Sequence, residues 1–99
     1  TRYLQIATPC PPGWVFSPKD TVKIGRLAVE TGIVVLYEIE NGKFRFTGRS
    51  KTLAEKGTRA PVIQFVERQG RFKKMSLEQL GQLQRWVDHK WNECMRRAE

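Results

Sequence analysis

Ala7-Thr8-Pro9-Cys10-Pro11-Pro12-Gly13-Trp14 sets one cysteine in a stiff turn just after a short apolar run. Three prolines fix φ and withhold three backbone donors, so neither a helix nor a strand ladder is expected to continue through this point. Gly13 opens backbone conformations closed to other residues, and Trp14 offers a large ring to anchor the turn. Cys10 is thus presented in one place, which suits a metal ligand or a reactive group. An isolated cysteine is nonetheless more often a small buried hydrophobe. One thiolate cannot hold a zinc ion or an iron–sulfur cluster, which need about four ligands. If Cys10 is a ligand, its companions lie outside this chain.

On the N-terminal side, Tyr3-Leu4-Gln5-Ile6-Ala7 reads as a short strand. A strand needs neighbours for its backbone groups, and the next strand in the sequence lies beyond a helix. With no starting Met, the chain reads as the tail of something longer. Segment 1–16 is therefore taken as strand and Cys loop.

On the other side, 17–32 is expected to be a helix. Ser17 and Asp20 are alternative caps, and Gly32 supplies the left-handed stop. Ile24, Leu27, Ala28 and Thr31 share one face, widened by Val22 and Val29. Gly25 inside that helix costs about 1 kcal/mol relative to Ala, which implies a close approach by another helix or a cofactor.

Segment 33–47 carries a hairpin signature: Val34–Glu40 and Lys43–Thr47 flank Asn41-Gly42, the pair preferred in a two-residue type I′ turn. That register sets Glu40 opposite Lys43, Ile39 opposite Phe44, Glu38 opposite Arg45 and Tyr37 opposite Phe46. Tyr37, Ile39, Phe44 and Phe46 then share one face, read as core or subunit contact, and the opposite charges share the other.

Residues 48–60 turn basic and small, and are expected to form a loop. Gly48 and Gly57 make no phosphate-cradling pattern, so phosphate contact by Arg49, Lys51 or Arg59 has little support. Segment 61–99 reads as a helical tail. Pro61 starts a helix of about two turns that ends at Gly70. Ser76 and Gln79 form a capping box, opening an amphipathic helix with Leu80, Leu83, Trp86, Val87, Trp91 and Met95 on its stripe. His89 has no partner at metal-pair spacing and reads as a surface residue, and Cys94 as a buried or half-buried thiol.

The 99 residues make one domain at most, and 39% hydrophobic content supports a modest core. No apolar run approaches the ~20 residues of a membrane span, no signal peptide is evident, and two cysteines fall short of a disulfide framework. The expectation is a cytoplasmic chain with free thiols and no membrane. The net charge of +8, from 18 Lys+Arg against 10 Asp+Glu, makes a polyanion or an acidic protein a reasonable partner. Only Arg68 to Lys74 forms a cluster. An alternative reading is therefore a small basic binding module contacting nucleic acid or an acidic protein, although nucleic-acid motifs are absent and a solvated basic face is the commoner meaning.

Three blocks carry a resemblance: Thr8-Pro9-Cys10-Pro11-Pro12-Gly13-Trp14, Ile24-Gly25-Arg26-Leu27-Ala28-Val29-Glu30-Thr31-Gly32 and Leu36-Tyr37-Glu38-Ile39-Glu40-Asn41-Gly42-Lys43. With Gln69-Gly70-Arg71-Phe72 and Gln84-Arg85-Trp86-Val87-Asp88, they closely resemble the C-terminal third of the thiamine-diphosphate-binding (beta) subunit of 2-oxoacid:ferredoxin oxidoreductases. The resemblance covers nearly the whole chain. It implies an edge portion of an α/β thiamine-diphosphate-binding fold, whose elements in isolation make an α+β body. It also implies a part in oxidative decarboxylation of a 2-oxoacid, with coenzyme A usually taking the acyl group and electrons passing through [4Fe-4S] clusters to ferredoxin. The cysteine at the position of Cys10 is, in that family, the fourth ligand of the cluster nearest the thiamine.

The departures are equally specific. Neither the family's Gly-Asp-Gly motif for magnesium and diphosphate nor its paired-cysteine cluster motif occurs here. Thiamine diphosphate and Mg are thus not expected to bind this chain alone. No catalytic base is expected either, since Glu30, Glu38 and Glu40 are explained by charge placement on the helix and hairpin. The implied partners are the other part or subunits of the complex, and ferredoxin.

Overall fold

The computed structural model describes residues 2–99. Its elements run α1 (Pro11–Trp14), a 3-10 turn (Pro18–Asp20), α2 (Thr21–Thr31), β1 (Tyr37–Glu40), β2 (Lys43–Phe46), α3 (Gly48–Lys56), α4 (Ile63–Val66), a second 3-10 turn (Gly70–Phe72) and α5 (Leu77–Arg97).

The hairpin forms in the register that cross-strand pairing dictates: Tyr37 with Phe46, Glu38 with Arg45, Ile39 with Phe44 and Glu40 with Lys43. Asn41 at φ 53° and Gly42 at φ 77° supply the two left-handed residues of the turn. The strands are shorter than expected, because Val34 donates its N–H to Ala28 O and Leu36 to Ser50 Oγ, which leaves only the Thr47 N–H to Leu36 O bond to continue the ladder beyond Tyr37. Phe44 and Phe46 are buried, whereas Tyr37 and Ile39 each keep 50% exposure on the outer strand. On the other face Arg45 bridges Glu38 and Glu40.

The expected basic loop over 48–60 is corrected. Gly48–Lys56 is helix α3, closed by Gly57 at φ 72°, whose N–H reaches Leu53 O. Its inward side carries Ser50 and Leu53, one turn apart, beneath an outer side of Lys, Arg and Glu. Arg49 pairs with Glu30 on α2 at 2.8 Å.

The strand expected at Tyr3–Ala7 does not form within the described residues. Among the described residues the one sheet has two strands, both from the hairpin, and Tyr3, Leu4 and Ile6 stand exposed. Without a neighbour to accept its backbone groups, a five-residue strand has nothing to pair with.

Helix α2 buries Ile24, Ala28 and Thr31 and stops at Gly32, φ 87°, as expected. Neither Ser17 nor Asp20 caps it through a side chain; Thr21 Oγ1 instead donates back to Pro18 O. The helix expected from Pro61 shortens to the single turn α4, followed by Gln69 folding its amide back onto Phe65 O. The capping box at the start of α5 forms in both directions, Gln79 N–H to Ser76 Oγ and Ser76 N–H to Gln79 Oε1. From there α5 crosses two apolar clusters, Leu80 and Leu83 in the one with Ile24, Ala28, Phe65 and Val66, Trp91 and Cys94 in the one with Phe44, Phe46 and Leu53. Trp86 lies off that line and is 57% exposed, so the stripe is narrower than its composition suggests.

Arg59 joins these parts. Its Nη1 donates to Thr31 O at 2.8 Å, its Nη2 to Asp88 Oδ1 at 2.6 Å, and its guanidinium lies 5.2 Å from the Trp91 ring centre. Gln84 donates to the same Asp88 oxygen and accepts the Val62 N–H. Burial raises the Asp88 carboxyl, but the Arg59 and Gln84 hydrogen bonds and the Arg59 charge outweigh it and hold the group below its ordinary value of 3.8. Replacing Arg59 by Ala should cost about 1.5–3 kcal/mol, the scale of hydrogen bonds to a charged group, read from denaturant unfolding midpoints. Because the folded carboxyl is the stronger acid, its contribution is complete above about pH 5 and is lost as pH falls through its folded value. Asp88→Asn should remove that share of the acid sensitivity, seen as a flatter stability profile between about pH 5 and 3.

Candidate functional site

Cys10 stands in extended conformation at the N-cap of α1, with φ −121° and ψ 99°. The turn expected to exclude helix contains one helical turn, because Pro11 and Pro12 occupy its first positions, where a missing N–H leaves nothing unsatisfied. Trp14 closes it by donating its N–H to Cys10 O at 2.8 Å. The thiol is exposed and free, so the buried-hydrophobe reading does not apply to it. Gly13 is not the left-handed residue expected of it. Its role is steric, since a Cβ there would stand 3.1 Å from the Cys10 sulfur.

Left-handed backbone falls instead on Val15, at φ 58° and ψ 70°. A β-branched residue there costs on the order of 1–3 kcal/mol and persists only when its surroundings impose it. They do so through Gly70, whose N–H donates to Val15 O at 2.7 Å; a Cβ on Gly70 would meet Val15 Cγ1 at 2.5 Å. A second hold comes from α2, where the bare backbone of Gly25 faces Pro9, 3.4 Å from a Cβ built there. The neighbour of Gly25 is thus the Cys10 loop, at a distance that a methyl group would share as ordinary contact, so the especially close approach expected there is not made by Pro9.

Trp14 anchors the turn as expected, packing edge-on to Phe65 at 6.1 Å and beside Phe16 at 6.3 Å. Arg71 covers it, with its guanidinium carbon 4.1 Å from the Trp14 ring centre and 4.5 Å from that of Phe72. Nε of Arg71 donates to Gln69 Oε1 at 2.8 Å. Partial burial lowers the Arg71 guanidinium from its ordinary value. Sequence reasoning took Arg71 as one member of a basic cluster; its spacing from the Cys10 loop, over fifty residues, gave no sign of contact. Arg68, Arg71, Lys73 and Lys74 are all exposed.

The other candidates resolve as follows. His89 is exposed, and Cys94 is half-buried against Phe44 and Trp91. Arg49 and Arg59, weighed as phosphate contacts, are committed to Glu30 and Asp88, while Lys51 is exposed. An open cleft of about 420 Å³ borders Arg59, Gln84, Asp88, Trp91 and Met95, but its polar groups already satisfy one another. Among the described residues no three of His, Cys, Asp or Glu come together as a metal site, and no helix is long and apolar enough to cross a membrane. A group needing four ligands therefore fits this chain at one corner only, an accessible sulfur whose backbone is fixed from two sides.

No protein-family model matches the chain. It is 40% identical over 89 residues to pyruvate synthase subunit PorB of Methanocaldococcus jannaschii, covering 90% of this chain and 28% of that protein. It is 44% identical over 86 residues to PorB of Methanothermobacter marburgensis, covering 87% of this chain and 28% of the relative. It is 37% identical over 97 residues to ketoisovalerate oxidoreductase subunit VorB of Pyrococcus abyssi, covering 98% and 30%. The chain is homologous to B subunits of 2-oxoacid oxidoreductases. More particularly, it is a relative of the pyruvate synthase and ketoisovalerate oxidoreductase B subunits, and spans under a third of their length.

Two glycine substitutions should separate the two holds on the loop. Gly70→Ala drives a methyl group into Val15 and should destabilise the protein by about 1–3 kcal/mol, as overpacking does. Gly25→Ala meets Pro9 at ordinary contact distance and should be neutral or stabilising by up to about 1 kcal/mol from helix propensity. Opposite signs in chemical denaturation are expected, and equal effects would contradict the geometry.

Proposed function

We propose that the chain is a C-terminal portion of the beta subunit of a cytoplasmic 2-oxoacid:ferredoxin oxidoreductase, forming an edge of its α/β thiamine-diphosphate-binding fold. Cys10 supplies one thiolate to a [4Fe-4S] cluster, and the remaining ligands come from other protein of the complex. The observation that carries this reading is an exposed cysteine sulfur whose loop is pinned by two separate glycine contacts, within a block of sequence shared with the family. A sulfur kept clear of its own turn by Gly13 and held in place by Pro9 and Val15 has the fixed geometry that a shared ligand requires.

When bound, thiamine diphosphate with Mg supplies the carbon–carbon cleavage chemistry and the cluster supplies one-electron transfer. The residues of this chain do other work. Cys10 offers its sulfur, α1 orients it, and Trp14 and Phe65 keep the loop seated on the core. Glu30, Glu38 and Glu40 are engaged by Arg49 and Arg45, in keeping with their reading as charge placement on the helix and hairpin. In this reading the chain acts only within the complex, and its partners are the rest of the complex and ferredoxin.

The test is Cys10→Ser in the assembled complex. Bound iron, visible absorption and ferredoxin reduction should fall together, the last by at least the ~10-fold that losing even an outer-shell partner costs. Cys94→Ser should leave all three unchanged. Full iron and full ferredoxin reduction in the Cys10 variant would rule out the ligand assignment.

A further inference from the structure

We propose that Arg71 is a positioning residue for the Cys10 sulfur, holding Trp14 in its seat and setting one unpaired positive charge beside the Cys10 turn. This rests on the reading of Cys10 as a cluster ligand.

A chain of contacts leads from the core to the cysteine. Gln69 is buried, and its amide donates to Phe65 O at 2.8 Å while its Oε1 receives the Arg71 Nε–H at 2.8 Å. That pair fixes the plane of the guanidinium over Trp14, 4.1 Å from the ring centre. Trp14 in turn donates its N–H to Cys10 O. Cys10, in extended conformation at the N-cap, and Trp14, the last residue of α1, are thus tied across one turn. The guanidinium therefore rests on the ring of the residue whose backbone closes the Cys10 turn, and its field reaches the sulfur to the extent that their separation stays within the screening length of about 8–10 Å.

The charge is also unspent. Arg45, Arg49, Arg59 and Arg96 each have a carboxylate partner, whereas among the described residues no carboxylate pairs with Arg71. Arg97 also stacks, over Phe44, but on the far cluster. Arg71 combines an unpaired charge with contact to Trp14 of the Cys10 turn. A cation so placed favours the reduced, more negative form of an anionic group ligated by Cys10.

The experiment uses the assembled complex and two substitutions. Arg71→Met keeps bulk over Trp14 and removes the charge, while Arg71→Lys keeps the charge and loses the planar fork. Redox titration followed by EPR should move the reduction potential of the cluster lacking in Cys10→Ser to a more negative value in the Met variant and leave it at the wild-type value in the Lys variant, with thermal unfolding of the complex unchanged in both. An unchanged potential in the Met variant, or an equal shift in both, overturns the role assigned to Arg71 while leaving the ligand assignment standing. Arg71→Gln, neutral and planar, replaces the Met variant if that one fails to assemble. If Cys10→Ser loses no cluster signal, the ligand reading fails and the role of Arg71 fails with it.

Discussion

A half-buried guanidinium closes this small body. Arg59 lies only 15% exposed in its side chain, and a charge taken so far from water is tolerable only when its donors are matched. The C-terminal carbonyl of α2, the Asp88 carboxylate and the face of Trp91 meet that demand together. Gly32 must remain bare for this to happen, since a Cβ there would press on Arg59 and Trp91 at 3.1 and 3.3 Å. The left-handed stop of α2 and the seat of the arginine are thus one constraint. Ala60 N–H, donating to Glu30 O, repeats the attachment one residue later.

With α2 fixed against α5, α2 becomes a rigid base for the Cys10 loop. Gly25 faces Pro9 from one side of the loop, and Gly70 faces Val15 from the other. The two holds differ in kind. The first is a contact across an open backbone, which a methyl group can share. The second is a hydrogen bond that keeps a β-branched residue in left-handed backbone, and it leaves no room for a side chain. Strain stored beside an accessible thiol, and imposed from a segment more than fifty residues away, is the kind of over-determination found where a side chain must not drift.

Local chemistry was legible where neighbours in sequence decide structure. Asn41-Gly42 fixed the hairpin register, Ser76 and Gln79 fixed the start of α5, and Gly32 fixed the end of α2. The α3 helix was missed because its apolar signal is small: Ser50 and Leu53 are its buried residues, and Ser50 is held by a hydrogen bond from Leu36 that no helical period encodes. The strand at Tyr3–Ala7 was expected from alternation, but alternation names a face and not a partner. At the site, Cys10 stands out through its prolines, yet the left-handed residue is Val15 and not Gly13. The sequence shows that a glycine follows the prolines; only the fold shows that Gly13 is bare for the sulfur and that Gly70 forces the turn.

The same contrast bears on the basic composition. Of 18 Lys+Arg, Arg45, Arg49, Arg59 and Arg96 are paired with carboxylates, Arg71 and Arg97 lie on aromatic rings, and Lys90 donates to Ile33 O beneath Trp86. Burial lowers the Lys90 ammonium from its usual value, with a smaller opposing pull from Cys94. The cluster from Arg68 to Lys74, which alone gave the composition a local focus, is exposed, and its central arginine lies over the Trp14 ring. What reads along the sequence as a stripe of free cations is in part a set of fasteners. A basic chain can therefore owe much of its charge to holding its own short segments together, and the cation nearest the Cys10 loop is placed by that internal packing, not by an outward-facing polyanion surface.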